Sequence, residues 1–457
     1  MRGRRLLGAI IGTALLGGCA VGAASSEGDV VRTGGGLVRG VVAADHRTFS
    51  GIPYAAPPVG DLRWRSPQPA APWGGVRDAT RAGNVCPQET GGSEDCLNLN
   101  VTAPRGAERL PVLVWLHGGG FVGGAGSAYD PTRLAVEGGL VVVTINYRLG
   151  ALGFLDAGED PAAGNFGLAD QQAALRWVRD NIAAFGGGPG NVTLAGQSAG
   201  AYSVCAQLAA PGARGLFGKA IIQSGPCANP LLGVGEARRR AADLLAQKGC
   251  ADLACLRSKP AADLVGLGST GVISATGTLA RMPWVPVIGG DFLPRQPVDA
   301  LPTEIPLLQG TTRNEMRPFV VAPVDYPRVI DDVFGPRAPA VLAEYPLANY
   351  PSPEAALGAV LTDWGQKVGA CPALVTDLVA GHGYAYEFAE GDAVHSGDLP
   401  YLFGGTGPLA DMMIRSWSSF ARTGDPGWPA FPQVLSLKTG DLRPVDFAAE
   451  HHCAFWG

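Results

Sequence analysis

Six short segments rich in apolar residues, each bounded by glycine, proline or asparagine, recur along the chain. They are too short for buried helices and lack the polar alternation of a half-exposed strand, a pattern typical of strands covered on both faces. The strands predicted in this way span residues 112–116, 140–145, 192–195, 220–222, 305–308 and 384–388.

Helical periodicity lies between these strands and is clearest over residues 170–185, where apolar side chains recur three and four residues apart. Alternating strands and helices predict an α/β fold, with a mostly parallel central sheet and helices on both faces. Such sheets carry their chemistry at the carboxyl ends of the strands. The less regular stretches 233–302 and 323–381 are interpreted as partly helical excursions packed over the sheet, where they would shape a pocket.

The composition of the 457 residues excludes several other classes of protein. Hydrophobic residues make up 46% and charged residues 16%, which argues against disorder and coiled coil. The 67 glycines and 37 prolines follow no three-residue period, so a collagen-like chain is excluded. The net charge is −5 and the body of the chain contains no basic run, so we expect no nucleic-acid partner.

The first residues have the pattern of a targeting segment. Three arginines precede the apolar stretch 6–16, which is too short to span a bilayer core of about 30 Å. The stretch ends in Leu-Gly-Gly-Cys19, which resembles the lipobox of bacterial lipoproteins, where the cysteine is lipidated. We expect a signal peptide over residues 1–18, a tether over 19–34 and one large domain over 35–457. Cleavage near residues 21–23 without a lipid is the alternative, and both predict export, to the cell surface or beyond it.

Nine cysteines fit an oxidising compartment. Setting Cys19 aside leaves eight, an even number that is typical of disulfide-bonded exported proteins. Proximity in the sequence favours Cys86 with Cys96 and Cys250 with Cys255. Cys205 lies in an apolar helical stretch, so a buried free thiol remains an alternative there.

A candidate nucleophile follows the predicted strand 192–195. Residues 196–200 read Gly-Gln-Ser-Ala-Gly, a G-x-S-x-G pentapeptide between a strand and a helix of small residues. In this context the pentapeptide forms a sharp turn that exposes the hydroxyl of Ser198 at the edge of the sheet. The alternative is a glycine-rich turn with an incidental serine.

A candidate oxyanion hole follows the strand 112–116. Residues 117–121 read His-Gly-Gly-Gly-Phe, which matches the H-G-G-G signature of esterases. Consecutive glycines let backbone N–H groups approach a developing negative charge. We expect the donors to be Gly119, Gly120 and Ala199. A plain loop or anion nest is the alternative for the glycines taken alone.

These motifs, with several others, resemble the type-B carboxylesterases, a family of serine esterases that includes cholinesterases and has the α/β-hydrolase fold. The resemblance runs from about residue 35 to the end and includes the segments 51–60, 93–100, 146–148 and 165–172. It implies a carboxylic ester hydrolase that acts on small-molecule esters through an acyl-enzyme, with no metal and no cofactor. It gives no expectation for the oligomeric state.

The resemblance also implies the two partners of Ser198, in the chain order serine, acid, histidine. Glu315 follows the predicted strand 305–308 in a segment similar to the one that bears the family's catalytic glutamate. His395 follows the predicted strand 384–388 in a segment similar to the family's histidine loop. The nearest rival acids lack a preceding strand, and the other histidines precede the serine, precede the strand 384–388 or lie at the C-terminus. The rival acids are Asp325, Asp331 and Asp332, and the other histidines are His46, His117, His382, His451 and His452.

The family pattern implies disulfides between Cys86 and Cys96 and between Cys371 and Cys453. Together with the proximity pair Cys250 and Cys255, this leaves Cys205 and Cys227 as a fourth pair. Ser224 resembles a serine that lies near the triad, although a plain loop serine is an equal alternative.

Two departures from the family pattern affect the expected substrates. Gln197 replaces a glutamate that many relatives carry beside the nucleophile, which weakens any preference for cations. The loop between Cys86 and Cys96 has no aromatic residue that would bind quaternary ammonium, so cholinesterase activity is not expected. The remaining alternatives are a catalytically silent binding or adhesion relative, and a lipase or serine peptidase on the same fold.

Overall fold

A sheet of eleven strands forms the centre of the molecule. The computed structural model of the chain describes residues 28–158, 160–266 and 276–457. These residues form sixteen strands, eleven of which belong to the large sheet, while β1, β2 and β5 form a second sheet and β11 and β12 a third. The strands are β1 Val30–Thr33, β2 Gly36–Arg39, β3 Val41–Val42, β4 His46–Pro53, β5 Val76–Asp78, β6 Asn98–Pro104, β7 Leu110–Leu116, β8 Val141–Ile145, β9 Gly187–Gln197, β10 Lys219–Gln223, β11 Leu232–Gly233, β12 Val287–Ile288, β13 Leu307–Thr312, β14 Tyr384–Phe388, β15 Val434–Leu437 and β16 Arg443–Val445.

The large sheet has the order β16-β15-β14-β13-β10-β9-β7-β8-β6-β4-β3. Its centre, from β15 to β8, is parallel throughout, and antiparallel strands continue it at both edges. The six strands predicted from apolar segments are all in this parallel region, where both faces are covered. The predicted α/β-hydrolase architecture, with its mostly parallel sheet, is therefore confirmed.

Helices cover both faces of the sheet. The described helices are α1 Thr132–Val136, α2 Gly150–Phe154, α3 Phe166–Asn181, α4 Ala199–Ala209, α5 Val234–Gln247, α6 Leu253–Ser258, α7 Tyr326–Phe334, α8 Ala338–Glu344, α9 Pro353–Trp364, α10 Ala370–Ala380, α11 Leu399–Leu402, α12 Pro408–Thr423, α13 Phe447–Glu450 and α14 Cys453–Trp456. The excursions interpreted as partly helical contain α5 and α6 in the first and α7 to α10 in the second.

Only the end of the predicted N-terminal tether belongs to the described residues. The predicted signal peptide, Cys19 and most of the predicted tether lie outside the described residues. The end of the predicted tether differs from the expectation, because Val30–Thr33 form β1 and pair with β2. Val31 and Thr33 are buried there, which gives this segment a reason to order. No described helix combines the length and the apolar character that crossing a membrane requires.

Four disulfides join the eight cysteines of the described chain. They connect Cys86 with Cys96, Cys205 with Cys227, Cys250 with Cys255 and Cys371 with Cys453. Cys205 is therefore bonded rather than a free thiol, and its bond ties α4 to the loop that follows β10.

Candidate active site

Ser198 lies at the turn between β9 and α4, at the carboxyl end of a central strand. Its backbone has φ 57° and ψ −120°, a conformation that costs a residue other than glycine about 1–3 kcal/mol. The flanking glycines permit this turn, because a Cβ on Gly196 would lie 2.5 Å from the carbonyl of Gly200, and one on Gly200 would overlap the carbonyl oxygen of Leu116. The backbone N–H of Ser198 donates to the carbonyl of Gln223 at 2.9 Å, which ties the turn to β10.

His395 and Glu315 form a close pair at the ends of neighbouring strands. Nδ1 of His395 lies 2.5 Å from Oε2 of Glu315. The carboxylate is completely buried, whereas the imidazole keeps a small exposed edge. Because a carboxylate only accepts hydrogen bonds, the contact places the proton of a neutral imidazole on Nδ1 and leaves Nε2 as an acceptor.

Further hydrogen bonds hold the Glu315 carboxylate ionised. The hydroxyl of Thr311 and the backbone N–H of Thr312 each donate to Oε1 at 2.8 Å. Burial by itself raises the pKa of Glu315, but the charge and hydrogen bond of His395 oppose it. The nearby Ser224 hydroxyl and the hydrogen bond from Thr312 act in the same direction, so the pKa of Glu315 lies below its ordinary value.

Gln197, the residue before Ser198, contacts His395. Its side-chain amide donates to Nε2 of His395 at 3.2 Å and to the hydroxyl of Ser396 at 2.9 Å. In this structure Nε2 of His395 therefore accepts from the amide of Gln197, and the hydroxyl of Ser198 lines the same cavity without a hydrogen bond to the ring. Hydrogen bonds of this kind are often long or misaligned in enzymes without substrate.

The predicted oxyanion donors face the same space as Ser198. Gly119 and Gly120 have φ of 114° and 60°, which glycine adopts without strain. They and Ala199 all line the cavity that contains Ser198. Within the described residues none of these three backbone N–H groups donates a hydrogen bond. They are therefore available to an incoming negative charge.

A buried neutral histidine supports this loop. His117 stacks on Tyr147 with ring centres 4.4 Å apart, and the Tyr147 hydroxyl donates to the His117 carbonyl at 2.7 Å. Burial lowers the pKa of His117 to about 4, against a small opposing effect of the Gly118 carbonyl. His117 is thus uncharged at neutral pH and adds no positive charge to the site.

The side chain of Gln88 fixes the far end of the same loop. Its Oε1 accepts from the N–H of Gly124 at 3.0 Å and its Nε2 donates to the carbonyl of Gly124 at 3.1 Å. Gln88 belongs to the loop closed by Cys86 and Cys96. This pair of hydrogen bonds joins that disulfide loop to the candidate oxyanion loop, a link that sequence reasoning missed.

A second buried network lies beneath the pair of Glu315 and His395. Asp398 accepts from Gln223 Nε2 at 2.7 Å and from the Tyr386 hydroxyl at 3.1 Å, and Trp417 donates to Gln223 at 3.0 Å. Burial raises the pKa of Asp398, and the charge of Glu315 raises it further. Asp398 stands three residues after His395, and this proximity was the one feature of the sequence that could have indicated its place near the site.

The cavity beside Ser198 has a volume of about 250 Å³. Beyond the groups already described its walls are mainly apolar, with one lysine. They are formed by Phe121, Tyr202, Leu279, Met282, Met316, Phe319, Lys367 and Val368. Among the described residues, no group of three or more histidine, cysteine or acidic side chains is arranged to hold a metal ion.

Comparisons with known proteins agree with this geometry. The model of the carboxylesterase family matches residues 27–334. Para-nitrobenzyl esterase of Bacillus subtilis (strain 168) is 35% identical over 460 residues, which cover 88% of this chain and 92% of that protein. Fumonisin B1 esterase of Sphingopyxis macrogoltabida is 34% identical over 499 residues, which cover 94% and 90%.

The similarity extends to three-dimensional structure. A solved structure of a PNB esterase superposes with a TM-score of 0.81 at 34% identity, covering 93% of this chain and 99% of the other. The chain belongs to the carboxylesterase family. It is a carboxylic ester hydrolase, which confirms the resemblance found in the sequence.

Proposed function

We propose that the protein hydrolyses carboxylic esters through an acyl-enzyme on Ser198. His395 is the general base, and Glu315 is the carboxylate that orients it. The observation that carries the proposal is the 2.5 Å contact between His395 Nδ1 and Glu315 Oε2 at a cavity that Ser198 also lines. The contact leaves Nε2 as the ring nitrogen that can accept a proton. A histidine held in this tautomer by a buried carboxylate is suited to general-base catalysis.

In the first half-reaction the Ser198 hydroxyl attacks the ester carbonyl while Nε2 of His395 takes its proton. For this the amide of Gln197 gives up its hydrogen bond to Nε2. The N–H groups of Gly119, Gly120 and Ala199 then hold the oxyanion. The imidazolium passes its proton to the departing alkoxide oxygen, and the acyl group stays on the serine.

In the second half-reaction water takes the place of the alcohol. His395 removes a proton from the water, the resulting oxyanion occupies the same three N–H groups, and Ser198 leaves with the proton that the imidazolium returns. The charge of Glu315 stabilises the imidazolium in both halves.

The cavity favours compact substrates. Its volume of about 250 Å³ is slightly below the range of roughly 300–1,000 Å³ typical of ligand pockets. We therefore expect p-nitrophenyl butyrate to be hydrolysed with a higher kcat/KM than p-nitrophenyl palmitate. This preference distinguishes an esterase from a lipase.

The test compares wild type, Ser198→Ala and Ser419→Ala on p-nitrophenyl butyrate. Ser419 lies on α12 outside the cavity and provides a matched serine control. We expect Ser198→Ala to lose at least a thousandfold in kcat and Ser419→Ala to match wild type. Equal rates for wild type and Ser198→Ala would refute the proposal.

We also propose that the protein is exported, with residues 1–18 removed, Cys19 lipidated, and the residues between Cys19 and β1 serving as a tether to the hydrolase domain. Support comes from the charged and apolar pattern of the first residues and from the disulfides, which persist in oxidising compartments. Expression in a bacterial host should give membrane-bound protein with a diacylglyceryl group on Cys19. Cys19→Ala should release it from the membrane, and an unchanged distribution would refute lipidation.

A further inference from the structure

Tyr202 forms part of the cavity wall one helical turn beyond Ser198. Its backbone N–H donates to the carbonyl of Ser198 at 3.0 Å, so the first turn of α4 fixes its position relative to the proposed nucleophile. The residue is only 3% exposed. Tyr202 therefore lies inside the protein, beside the space that a substrate would occupy.

The hydroxyl of Tyr202 is held by a second element of the cavity wall. It donates to the carbonyl of Lys367, in the short connection between α9 and α10, and accepts from the side-chain amide of Asn229 at 2.7 Å. The same amide donates to the carbonyl of Gly365 at 2.8 Å, at the start of that connection. The ring of Tyr202 thus spans the distance from α4 to this connection and is held at both ends.

A disulfide strengthens this arrangement. Asn229 stands two residues after Cys227, whose bond to Cys205 ties the loop of Asn229 to α4. Both cysteines and Asn229 are almost completely buried. Because protein interiors are close-packed, the ring of Tyr202 cannot turn away from the cavity without breaking these contacts.

The cavity has an open side and a closed side. Gly119 is exposed, and Phe319 and His395 each keep part of their surface exposed. Tyr202 and Met316, by contrast, are almost completely buried. Tyr202 therefore belongs to the wall of the closed side.

The order of the proposed steps assigns the two parts of the ester to these two sides. The alcohol must leave and water must enter before the acyl group is released, so the alcohol part requires the open side. The acyl group stays bonded to Ser198 until the second half-reaction ends, and it can occupy the closed side. An acyl chain on Ser198 therefore extends toward Tyr202.

We propose that the ring of Tyr202 ends the acyl-binding part of the cavity and limits the length of the acyl chain that the protein hydrolyses. The proposal rests on the proposed function of Ser198 and names the residue that sets its substrate class, esters of short-chain acids. A longer chain would have to displace a ring that is held at both ends, and forcing extra methylene groups into packed protein is unfavourable. Because Met282, Met316 and Val368 also line the cavity, space freed by a smaller side chain would favour a longer apolar chain.

A series of p-nitrophenyl esters from acetate to decanoate tests the proposal. The leaving group is the same throughout, so differences in kcat/KM report the fit of the acyl chain. The quantity compared among proteins is the ratio of kcat/KM for the octanoate to kcat/KM for the butyrate. A second ratio, that of 2-naphthyl acetate to phenyl acetate, measures the fit of the alcohol part. Effects on the common catalytic steps cancel in both ratios.

The proteins compared are wild type, Tyr202→Phe, Tyr202→Leu and Tyr202→Ala, with thermal unfolding to show that each is folded. One methylene group in an apolar pocket changes kcat/KM by about 10–200-fold, so we expect the octanoate-to-butyrate ratio to rise by about tenfold or more in Tyr202→Ala. It should rise in Tyr202→Leu as well. Tyr202→Phe keeps the ring and loses the hydrogen bonds of the hydroxyl, and its ratio should stay much closer to wild type than to Tyr202→Ala. The naphthyl-to-phenyl ratio should be the same in all four proteins.

Three results would overturn the proposal. They are a wild-type octanoate-to-butyrate ratio in the folded Ala and Leu variants of Tyr202, a rise in Tyr202→Phe as large as that in Tyr202→Ala, and a change confined to the naphthyl-to-phenyl ratio. Wild type provides a test that needs no variant, because kcat/KM that does not decline by the decanoate would contradict a fixed end of the cavity. Absence of hydrolysis of every ester by wild type would instead refute the proposed function.

Discussion

Nδ1 of His395 lies 2.5 Å from Oε2 of Glu315, and the two residues stand 80 positions apart in the sequence. The contact exists because β13 and β14 are parallel neighbours whose carboxyl ends lead into the loops that bear these side chains. Asn314 and Val394 also form an isolated bridge, which holds the two loops in register beside the pair. The sheet thus sets the geometry of the proposed acid and base.

Glu315→Gln tests what the buried charge contributes. The amide has nearly the same shape but cannot stabilise an imidazolium, and it permits the wrong tautomer of His395. We expect kcat on p-nitrophenyl butyrate to fall by about 10³–10⁴-fold, the size of loss seen when a triad carboxylate becomes an amide, with a much smaller change in KM. Thermal unfolding of the variant, measured alongside, shows whether folding is retained. A fall of less than tenfold in a folded variant would contradict the role of Glu315.

Gln88→Ala tests whether the disulfide loop positions the oxyanion donors. The change removes both hydrogen bonds to Gly124 without touching the substrate cavity. Loss of one oxyanion donor costs about 10²–10³ in kcat, so we expect a displaced loop to cost about tenfold in kcat with KM nearly unchanged.

Gln68→Ala is the matched control for this measurement, because the Gln68 side chain is exposed and, among the described residues, its one hydrogen bond is to the carbonyl of Ser66. Both variants are compared by steady-state kinetics on the same ester. If Gln88→Ala changes KM and leaves kcat as in Gln68→Ala, the loop does not act through the oxyanion donors.

Gly200→Ala tests the packing of the turn at Ser198. A methyl group at this position would overlap the carbonyl oxygen of Leu116 on β7, and backbone cannot move aside cheaply. We expect a loss of at least 2 kcal/mol in the free energy of unfolding, on the order of other overpacked cores, together with lost activity. Gly190→Ala meets no atom within 4 Å and should be nearly neutral. Equal stability of the two variants, measured by urea unfolding, would be inconsistent with a turn held by close backbone contact.

A buried histidine outside the site gives a prediction about pH and stability. In its imidazolium form His451 donates from Nδ1 to Asp363 at 2.6 Å and from Nε2 to Glu387 at 2.7 Å, with all three side chains buried. Burial by itself lowers the pKa of His451, but the hydrogen bonds and charges of the two acids outweigh it and raise the pKa to about 9. An ordinary histidine has a pKa of about 6.5. The stabilising contribution is therefore complete below about pH 6.5 and is lost as the pH rises through about 9.

His451→Gln should accordingly lower the free energy of unfolding by about 3 kcal/mol at pH 6, because it leaves the buried Asp363 without its cation and Glu387 with Arg313 alone. At pH 9.5 the difference from wild type should be much smaller. His46→Gln, which changes a histidine at the sheet edge, serves as the control. Urea unfolding at both pH values, with the disulfides intact, gives the comparison. A difference that is the same at both pH values would show that the imidazolium is not the stabilising form.

The sequence predicted the parallel centre of the sheet well and its antiparallel edge poorly. Residues 112–116 and 384–388 lie in β7 and β14, because strands covered on both faces are apolar throughout. In β6 the polar side chains of Asn98, Asn100 and Thr102 interrupt that pattern. They are accommodated by hydrogen bonds such as that of Asn100 to Thr144 at 3.0 Å, which no local pattern indicates.

The first turn of α3 was missed for a similar reason. Asp170 has the appearance of a residue at a helix start, but the helix begins at Phe166 and Asp170 is buried against Arg148 at 2.7 Å. Burial by itself raises the pKa of Asp170, and the charge and hydrogen bonds of Arg148 oppose this rise. An ion pair between distant residues thus overrides the local preference of the aspartate.

The candidate residues of the site followed from motifs, whereas their supporting partners did not. Ser198, Glu315 and His395 each stand in a segment with a recognisable pattern. Gln88 and Lys367 stand in segments without one, and their partners lie 36 and 165 residues away. Contacts of this kind depend on how the loops fold over the sheet, which neither periodicity nor composition specifies.

The most direct test of the account is the covalent labelling of Ser198. Wild type, Ser198→Ala and Ser419→Ala are treated with a fluorophosphonate, and the modified peptide is identified by mass spectrometry beside residual activity on p-nitrophenyl butyrate. The account predicts one phosphonyl group per molecule, on Ser198, in wild type and Ser419→Ala, with activity lost in proportion and Ser198→Ala unlabelled. A label on another residue that abolishes activity while Ser198 stays unmodified would contradict it.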